Sequence, residues 1–188
     1  MSASSALLDN NLPAINRFIT DHNKHGQAIF SDRIEENLPF QELPDGARFC
    51  LGYTTRRTPV DMNEDKDLID YGQDLVNKPG IMIPGGSVLR IVDIKPGALS
   101  PMHRTVSLDY GVVLEGEVEL LLDSGEKRLM KRGDVSVQRG TMHAWKNASS
   151  TTWARMLYVL QESLPVNMGS MPLGEDYGGI PGVKPSHE

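Results

Sequence analysis

Short apolar and β-branched runs, separated by turn residues, fill the chain between residues 85 and 161. The runs occupy residues 88–94, 110–114, 118–122, 128–130, 135–138 and 153–160. This alternation of short strands and turns is typical of an antiparallel sandwich or barrel. The triplet Asp123-Ser124-Gly125 suits a hairpin turn, since Gly accepts the positive φ that such turns require. The sequence therefore predicts an all-β fold.

The length of 188 residues suits one domain with a single hydrophobic core. Residues 16–21 and 47–53 are predicted as outer strands, and the acidic residues 61–70 as a solvated loop or short helix. The Gly-, Pro- and Ser-rich tail is expected to wrap over the barrel or stay mobile. We therefore expect an N-terminal arm with outer strands at 1–80, a barrel core at 81–164 and a C-terminal tail at 165–188.

Charge and composition exclude several classes of partner. The net charge is -6 with no run of Lys or Arg, so nothing indicates binding to nucleic acid or to an anionic membrane surface. The single Cys50 cannot form an internal disulfide, and we expect it in the core. Residues 1–10 lack the pattern of a secretory signal, and no apolar stretch approaches the roughly 20 residues of a membrane helix. We expect a soluble, cytoplasmic protein that acts on a small molecule.

Two blocks in the middle of the chain carry the polar residues of chemical interest. The first reads Gly97-Ala-Leu-Ser-Pro-Met-His103-Arg-Thr105-Val-Ser-Leu-Asp109-Tyr-Gly-Val-Val-Leu-Glu-Gly116, and the second reads Gly133-Asp-Val-Ser-Val-Gln-Arg-Gly-Thr-Met-His143-Ala-Trp-Lys-Asn147. Together they resemble the two-part signature of the cupin superfamily. The resemblance implies a single cupin jelly-roll β-barrel with an N-terminal arm and an irregular C-terminal tail. It also implies a homodimer, because N-terminal strands often pair with a partner subunit in similar proteins.

The chain departs from the usual cupin metal site, which uses two closely spaced His, one Glu and a distant His. His103 and His143 match this pattern, but Thr105 stands where the second His is expected and Asp109 where the Glu is expected. Gln138 replaces the Pro of the second block. A complete four-ligand centre is therefore absent.

Residues two apart in a strand point to the same side, so His103 and Thr105 should share one face and His143 and Trp145 another. If the fold is that of a cupin, both faces look into the barrel, where Asp109 joins the two histidines. Two imidazoles and a carboxylate form the ligand set that holds non-haem Fe(II), and the same set suits Zn or Mn. The shorter Asp side chain weighs against such a site. A divalent metal on His103, Asp109 and His143 therefore stays open, beside a site without a cofactor.

Without a metal, the same residues are suited to proton transfer. His143 or His103 would act as general acid or base, with Asp109 fixing the tautomer or serving as the partner acid. Thr105 could position a substrate carbonyl or a water molecule. This chemistry suits elimination, decarboxylation or enolization. The alternative is that both histidines merely hydrogen-bond barrel neighbours.

Four residues are candidates for substrate binding: Thr105, Trp145, Tyr158 and Arg155. The two aromatic side chains suit a pocket wall, although aromatic residues at strand spacing are more often core. Arg155 and Arg90 lie inside apolar strands, so each must reach solvent, pair with an acid or meet an anionic ligand. Solvent is the default expectation for both. Arg104 lies between two inward positions and is expected to point outward.

The resemblance implies an enzyme of small-molecule metabolism, of a kind found in fungi and bacteria. Our first hypothesis is a lyase or isomerase that catalyses dehydration, decarboxylation or a related proton transfer on a polyketide-like or aromatic metabolite. The second is a metal-dependent Fe cupin oxygenase that uses the same three residues. The third is a non-catalytic cupin that binds a small molecule. One scaffold hosts many chemistries, so the fold alone does not choose among them.

Overall fold

A computed structural model describes residues 9–44, 46–180 and 184–186. Within these ranges the chain forms thirteen strands, one 3-10 helix (Asn63–Asp65) and one α-helix, α1 (Lys66–Val76). The strands are β1 (Thr20–His22), β2 (Ala28–Phe30), β3 (Gln41–Glu42), β4 (Arg48–Thr55), β5 (Ser87–Ile94), β6 (Ser107–Glu115), β7 (Glu117–Leu122), β8 (Lys127–Lys131), β9 (Val135–Arg139), β10 (His143–Asn147), β11 (Ala154–Glu162), β12 (Asn167–Met168) and β13 (Met171–Pro172).

Two antiparallel sheets hold the core between them. The larger has the order β3-β4-β5-β11-β6-β9, and the smaller has the order β10-β7-β8. Val92 and Met156 of the larger sheet pack in one cluster with Val118, Met130 and Trp145 of the smaller sheet. The expected all-β architecture is therefore confirmed. The closed barrel is seen only in part, because the ladders among the described residues remain separate sheets.

The strand predictions within the central stretch are confirmed. Each of the six runs lies in a strand, apart from Trp153, which precedes β11. The hairpin turn between β7 and β8 is also confirmed, since Gly125 has a φ of 87° and the Leu122 amide donates to the Glu126 carbonyl at 2.9 Å. Turn chemistry and alternation agree here, and both are local properties of the sequence.

The outer strand expected at residues 16–21 is wrong in its position. Strand β1 begins only at Thr20, and Asn16 makes a single bridge with Asn37. The Arg17 side chain donates to the hydroxyl of Tyr71 at 2.6 Å. This hydrogen bond ties the segment to helix α1. The second outer strand, expected at 47–53, is confirmed as β4.

The acidic segment at 61–70 contains the start of a longer helix. After the 3-10 turn, α1 continues six residues beyond the expected range. Leu68 and Tyr71 are buried on one face of α1, and Tyr71 packs in a cluster with Leu51 and Val88 of the large sheet. This apolar face stabilises the helix against β4, although the first half of the segment is mostly polar.

The outer face of the large sheet is covered by the N-terminal arm. Cys50 and Ile91 pack there with Leu38, and Cys50 has no exposed surface, as predicted for a core residue. Arg155 also lies on this face rather than in the barrel interior. Its guanidinium donates to both carboxylate oxygens of Asp93, at 2.6 and 2.8 Å.

Two predictions about Arg155 are therefore corrected. Solvent does not stabilise its charge, because Arg155 is only 3% exposed and paired with Asp93. Arg155 also donates to the Pro13 carbonyl of the arm at 2.6 Å, so it is no candidate for substrate binding. Strand alternation is the reason, since Arg155 and the inward Tyr158 are an odd number of residues apart.

The C-terminal tail packs against the sheets as far as residue 180. Asp176 forms a backbone bridge with Arg104, and Tyr177 and Ile180 pack against the cluster that contains Leu160. The helices in the described ranges are too short or too polar to cross a membrane. Residues 1–8, which carry most of the segment tested for a secretory signal, lie outside the described residues.

Candidate active site

A cavity of about 310 Å³ lies on the inner face of the large sheet. Its walls are mainly apolar and aromatic, with a smaller set of polar side chains. This volume lies at the lower end of the range for small-molecule sites. The polar lining residues are Arg90, Lys95, Ser100, His103, Thr105, Asp109, Gln138 and His143.

His103 and His143 meet in the cavity as a pair. Their backbones form a two-way bridge, with N···O distances of 2.8 and 2.9 Å, and their ring centroids are 4.3 Å apart. The Nδ1 atoms lie 2.9 Å from the Pro101 carbonyl and 2.8 Å from the Thr141 carbonyl. Because a carbonyl only accepts, each Nδ1 carries the proton, and each Nε2 keeps its lone pair.

Burial keeps both imidazoles neutral at pH 7. It lowers the pKa of His103 below 6.5, against the opposing effect of its bond to the Pro101 carbonyl. It lowers the pKa of His143 to about 4, with a further contribution from repulsion by His103. A second proton on the pair is therefore strongly disfavoured.

Asp109 lies in the same cavity wall and is only 4% exposed. Its carboxylate accepts hydrogen bonds from the Ser107 hydroxyl at 2.5 Å and from the Thr105 hydroxyl at 3.0 Å. Burial raises the pKa of Asp109 to about 6, against the opposing effect of these two bonds. Asp109 is therefore mostly ionised at pH 7 and close to titration.

One expectation about these residues is corrected by the hydrogen bonds. Among the described residues Asp109 bonds to neither imidazole, so the carbonyls of Pro101 and Thr141 orient the rings instead. Thr105 lines the cavity and donates its hydroxyl proton to Asp109, and its contact with substrate stays a prediction. Both carbonyls lie two residues before the histidine that they hold, a local arrangement that needs no acid.

His103, Asp109 and His143 are the three ligands of the metal site that the sequence predicts. Within the described ranges, no group of three or more His, Cys, Asp or Glu side chains is arranged to hold a metal ion. The carboxylate oxygens of Asp109 are held by Ser107 and Thr105. The two Nε2 atoms remain suited to a ligand, and a metal held by His103, Asp109 and His143 stays a prediction.

Aromatic side chains support the histidine pair from one side. Trp145 stands edge-on to His143, with centroids 5.6 Å apart, and edge-on to Tyr158, with centroids 5.4 Å apart. Trp145 is both core and cavity wall, so the two interpretations from the sequence hold together. The Tyr158 hydroxyl lies 3.0 Å from Met156 Sδ, and burial raises its pKa well above 10, which keeps the phenol protonated.

Several lining residues were not assigned to the site from the sequence, among them Gln138, Arg90 and Phe49. Gln138 lies opposite Asp109 in the β6–β9 ladder, and its Oε1 accepts from the Thr141 hydroxyl at 2.5 Å. Its departure from the Pro of the resembling pattern was the available signal. Arg90 and Phe49 form another part of the wall, with the guanidinium 5.3 Å from the ring centroid. The inward alternation of Arg90 with Val92 and Ile94 could have placed it there.

Comparison with known proteins agrees with the geometry. The cupin domain family (Cupin_2) matches residues 90–160. Phomopsin biosynthesis cluster protein D of Diaporthe leptostromiformis is 51% identical over 168 residues, which cover 89% of this chain and 87% of that protein. Oryzines biosynthesis cluster protein J of Aspergillus oryzae is 46% identical, covering 93% and 98%.

A further relative is named for an activity. The cupin-domain-containing oxidoreductase virC of Hypocrea virens is 44% identical over 155 residues, which cover 80% of this chain and 77% of that protein. Identity of this level over most of both chains extends well beyond the signature blocks. The chain therefore belongs to the cupin superfamily, in a group with proteins of fungal biosynthesis clusters.

Proposed function

We propose that this cupin is an enzyme of secondary metabolism that moves a proton within a small carbonyl compound, as a lyase or isomerase. The substrate would be a polyketide-like or aromatic metabolite. One observation carries the proposal, the pair of neutral imidazoles whose Nε2 atoms have no hydrogen-bond partner among the described residues, inside a mainly apolar cavity. The names of the biosynthesis cluster relatives support the metabolic context.

The histidine pair suits the transfer of one proton at a time. A neutral imidazole accepts a proton from a carbon next to a carbonyl group, and the imidazolium then returns it to another atom of the substrate. Mutual repulsion between His103 and His143 disfavours a second proton on the pair. Asp109, ionised at pH 7, supplies a negative charge in the same wall. The apolar surroundings exclude water that would compete for the proton.

A second candidate is an oxidoreductase, which the name of the virC relative favours. Such a reaction would need a redox cofactor or a co-substrate. If the cofactor were a metal ion, the two imidazoles would supply two of its ligands. The Asp109 carboxylate, held by Ser107 and Thr105, does not complete a triad with them. Geometry therefore supports proton transfer better than an iron-dependent oxygenase. Simple binding of a metabolite is the third alternative.

Deuterium exchange tests the proposal. Phenylpyruvate and phenylacetone, both with acidic protons next to a carbonyl, would be incubated with the protein in D2O, and loss of their methylene signals would be followed by NMR. We expect faster exchange than in buffer, and a fall of about 100-fold in His103→Gln or His143→Gln. The exposed His25→Gln serves as the matched control and should keep the full rate.

Three other results would contradict proton transfer by the pair. Exchange of both probes at the buffer rate would show that the protein does not catalyse this proton transfer. Binding of a probe without exchange would favour a binding protein. Equal exchange in the wild type and in both cavity variants would remove the histidines from the mechanism. Oxygen uptake that requires bound iron, lost in His103→Gln, would favour the oxidoreductase.

A further inference from the structure

The cavity wall holds a cation that the proton-transfer chemistry does not use. Arg90 extends from β5 into the cavity, and its guanidinium lies 5.3 Å from the centroid of Phe49. One Nη donates to the Gly80 carbonyl at 3.0 Å. The buried Nε has no hydrogen-bond partner among the described residues. Arg90 is therefore held in place while its Nε–H donor has no acceptor among the described residues.

The nearby Arg155 shows how this fold stabilises an arginine that serves structure alone. Arg155 on β11 is joined by two hydrogen bonds to Asp93 on β5, the same strand that carries Arg90. In the described ranges no Asp or Glu forms an ion pair with Arg90. Arg17 and Arg104 also have a buried Nε without a partner among the described residues, but Arg90 is the one of the three that lines the cavity.

The charge of Arg90 is retained at pH 7 despite its surroundings. Burial lowers the pKa of its guanidinium to about 10, which still leaves it protonated. A buried charge without a counterion is costly, and a carboxylate is the planar acceptor that fits a guanidinium with two hydrogen bonds. The contact with the Phe49 ring and the hydrogen bond to the Gly80 carbonyl hold the guanidinium in place before a ligand arrives.

We infer that Arg90 anchors a carboxylate group of the substrate, which makes the substrate class a small aromatic or polyketide-like carboxylic acid. The second part of this inference, that the bound acid is converted, rests on the proposed function. Arg90 on β5 and Asp109 on β6 are separated by β11, so their backbones lie about 10 Å apart. A substrate whose carboxylate binds Arg90 can therefore extend its other end toward His103 and His143, which line the same cavity.

The cavity volume agrees with this class. A cavity of roughly 150 Å³ holds a benzene molecule, and the cavity here is about 310 Å³. One aromatic ring with a short acidic side chain fits this volume. The apolar wall, with Phe49, Trp145 and Tyr158, suits the ring, and Arg90 suits the acid.

Matched pairs of ligands test the anchor. Binding of cinnamate and cinnamamide, and of salicylate and salicylamide, would be measured by calorimetry. We expect each acid to bind the wild type about tenfold tighter than its amide, and Arg90→Met to remove this preference. Arg90→Lys should keep part of it, because the charge remains without the fork. This second variant keeps the test usable if Arg90→Met fails to fold.

Lys127→Met is the matched control, since Lys127 is exposed on β8 and does not line the cavity. Its acid preference should match the wild type. Lys95→Met tests the rival anchor, because Lys95 is the other cationic side chain of the cavity wall. A preference that survives in Arg90→Met, or that is lost in Lys95→Met, would overturn the anchor. Equal binding of acid and amide to the wild type would also overturn it.

The same ligands separate this inference from the proposed function. Arg90-dependent binding of phenylpyruvate without deuterium exchange would support the anchor and contradict proton transfer. Exchange of phenylpyruvate and phenylacetone at equal rates, unchanged in Arg90→Met, would support proton transfer and overturn the anchor. Faster exchange of phenylpyruvate that depends on both Arg90 and His143 supports both.

Discussion

At the scale of single residues, the low pKa of His143 links the site to stability. Between about pH 6.5 and pH 4 the unfolded chain takes up a proton that the folded chain resists, so the free energy of unfolding falls as the pH falls. This loss is at most about 3 kcal/mol. Urea unfolding near neutral pH and near pH 4.5 should show a larger loss in the wild type than in His143→Gln. Equal losses would contradict the buried neutral imidazole.

Asp109 has the opposite pH dependence. Burial raises its pKa to about 6, so its ionisation in the folded state lowers stability as the pH rises through that value. Asp109→Asn should therefore raise the melting temperature relative to the wild type more at pH 8 than at pH 4. The same variant should lose deuterium exchange activity. A melting difference that is independent of pH would contradict this account.

The main site residues could be predicted because their types and spacings are visible in the sequence. Strand periodicity puts His103 and His143 on inward faces, and the cupin resemblance brings them together with Asp109. The partners of these groups could not be predicted. The carbonyls of Pro101 and Thr141 belong to the backbone, and any residue at those positions presents the same oxygen.

At the scale of secondary structure, β11 shows what alternation alone decides. Met156, Tyr158 and Leu160 face inward, whereas Arg155 faces the N-terminal arm. The two-residue period of a strand was sufficient to place Arg155 and Tyr158 on opposite faces, although we expected both to bind substrate. Asp93 as the partner of Arg155 depends on the β5–β11 register, which the sequence does not reveal.

The buried pair of Arg155 and Asp93 leads to a prediction at this scale. Replacing Arg155 by Leu leaves the carboxylate of Asp93 buried with weaker partners, Arg48 at 3.8 Å and Asn10 at 2.8 Å. We expect a loss of about 3 kcal/mol in the free energy of unfolding. Deuterium exchange per folded molecule should not change, because Arg155 lies outside the cavity. Lost exchange in folded Arg155→Leu would contradict this assignment.

Helix α1 shows a limit of sequence patterns. The residues that lead into it are acidic and suggest a solvated segment, while its packing on β4 depends on Leu68 and Tyr71. The Tyr71 hydroxyl donates to the Leu51 carbonyl at 2.8 Å, a contact across twenty residues that local composition does not indicate. Tertiary packing therefore decides the length of this helix.

At the scale of the whole molecule, the homodimer implied by the resemblance remains a prediction. The β1–β2 hairpin and its flank expose three large apolar residues, Phe18, Ile29 and Phe30. We expect light scattering to give about twice the chain mass of 20.8 kDa. Phe18→Ser combined with Phe30→Ser should shift the protein toward the monomer. A monomeric wild type at micromolar concentration would contradict the prediction.

The central claim is that the histidine pair transfers a proton without a metal. The most direct measurement is the deuterium exchange rate of phenylpyruvate with protein dialysed against a chelator, alongside its metal content. We predict that exchange persists in metal-depleted protein and falls about 100-fold when His103 and His143 are both replaced by Gln. Exchange that disappears with the metal and returns on addition of Fe(II) would contradict the claim.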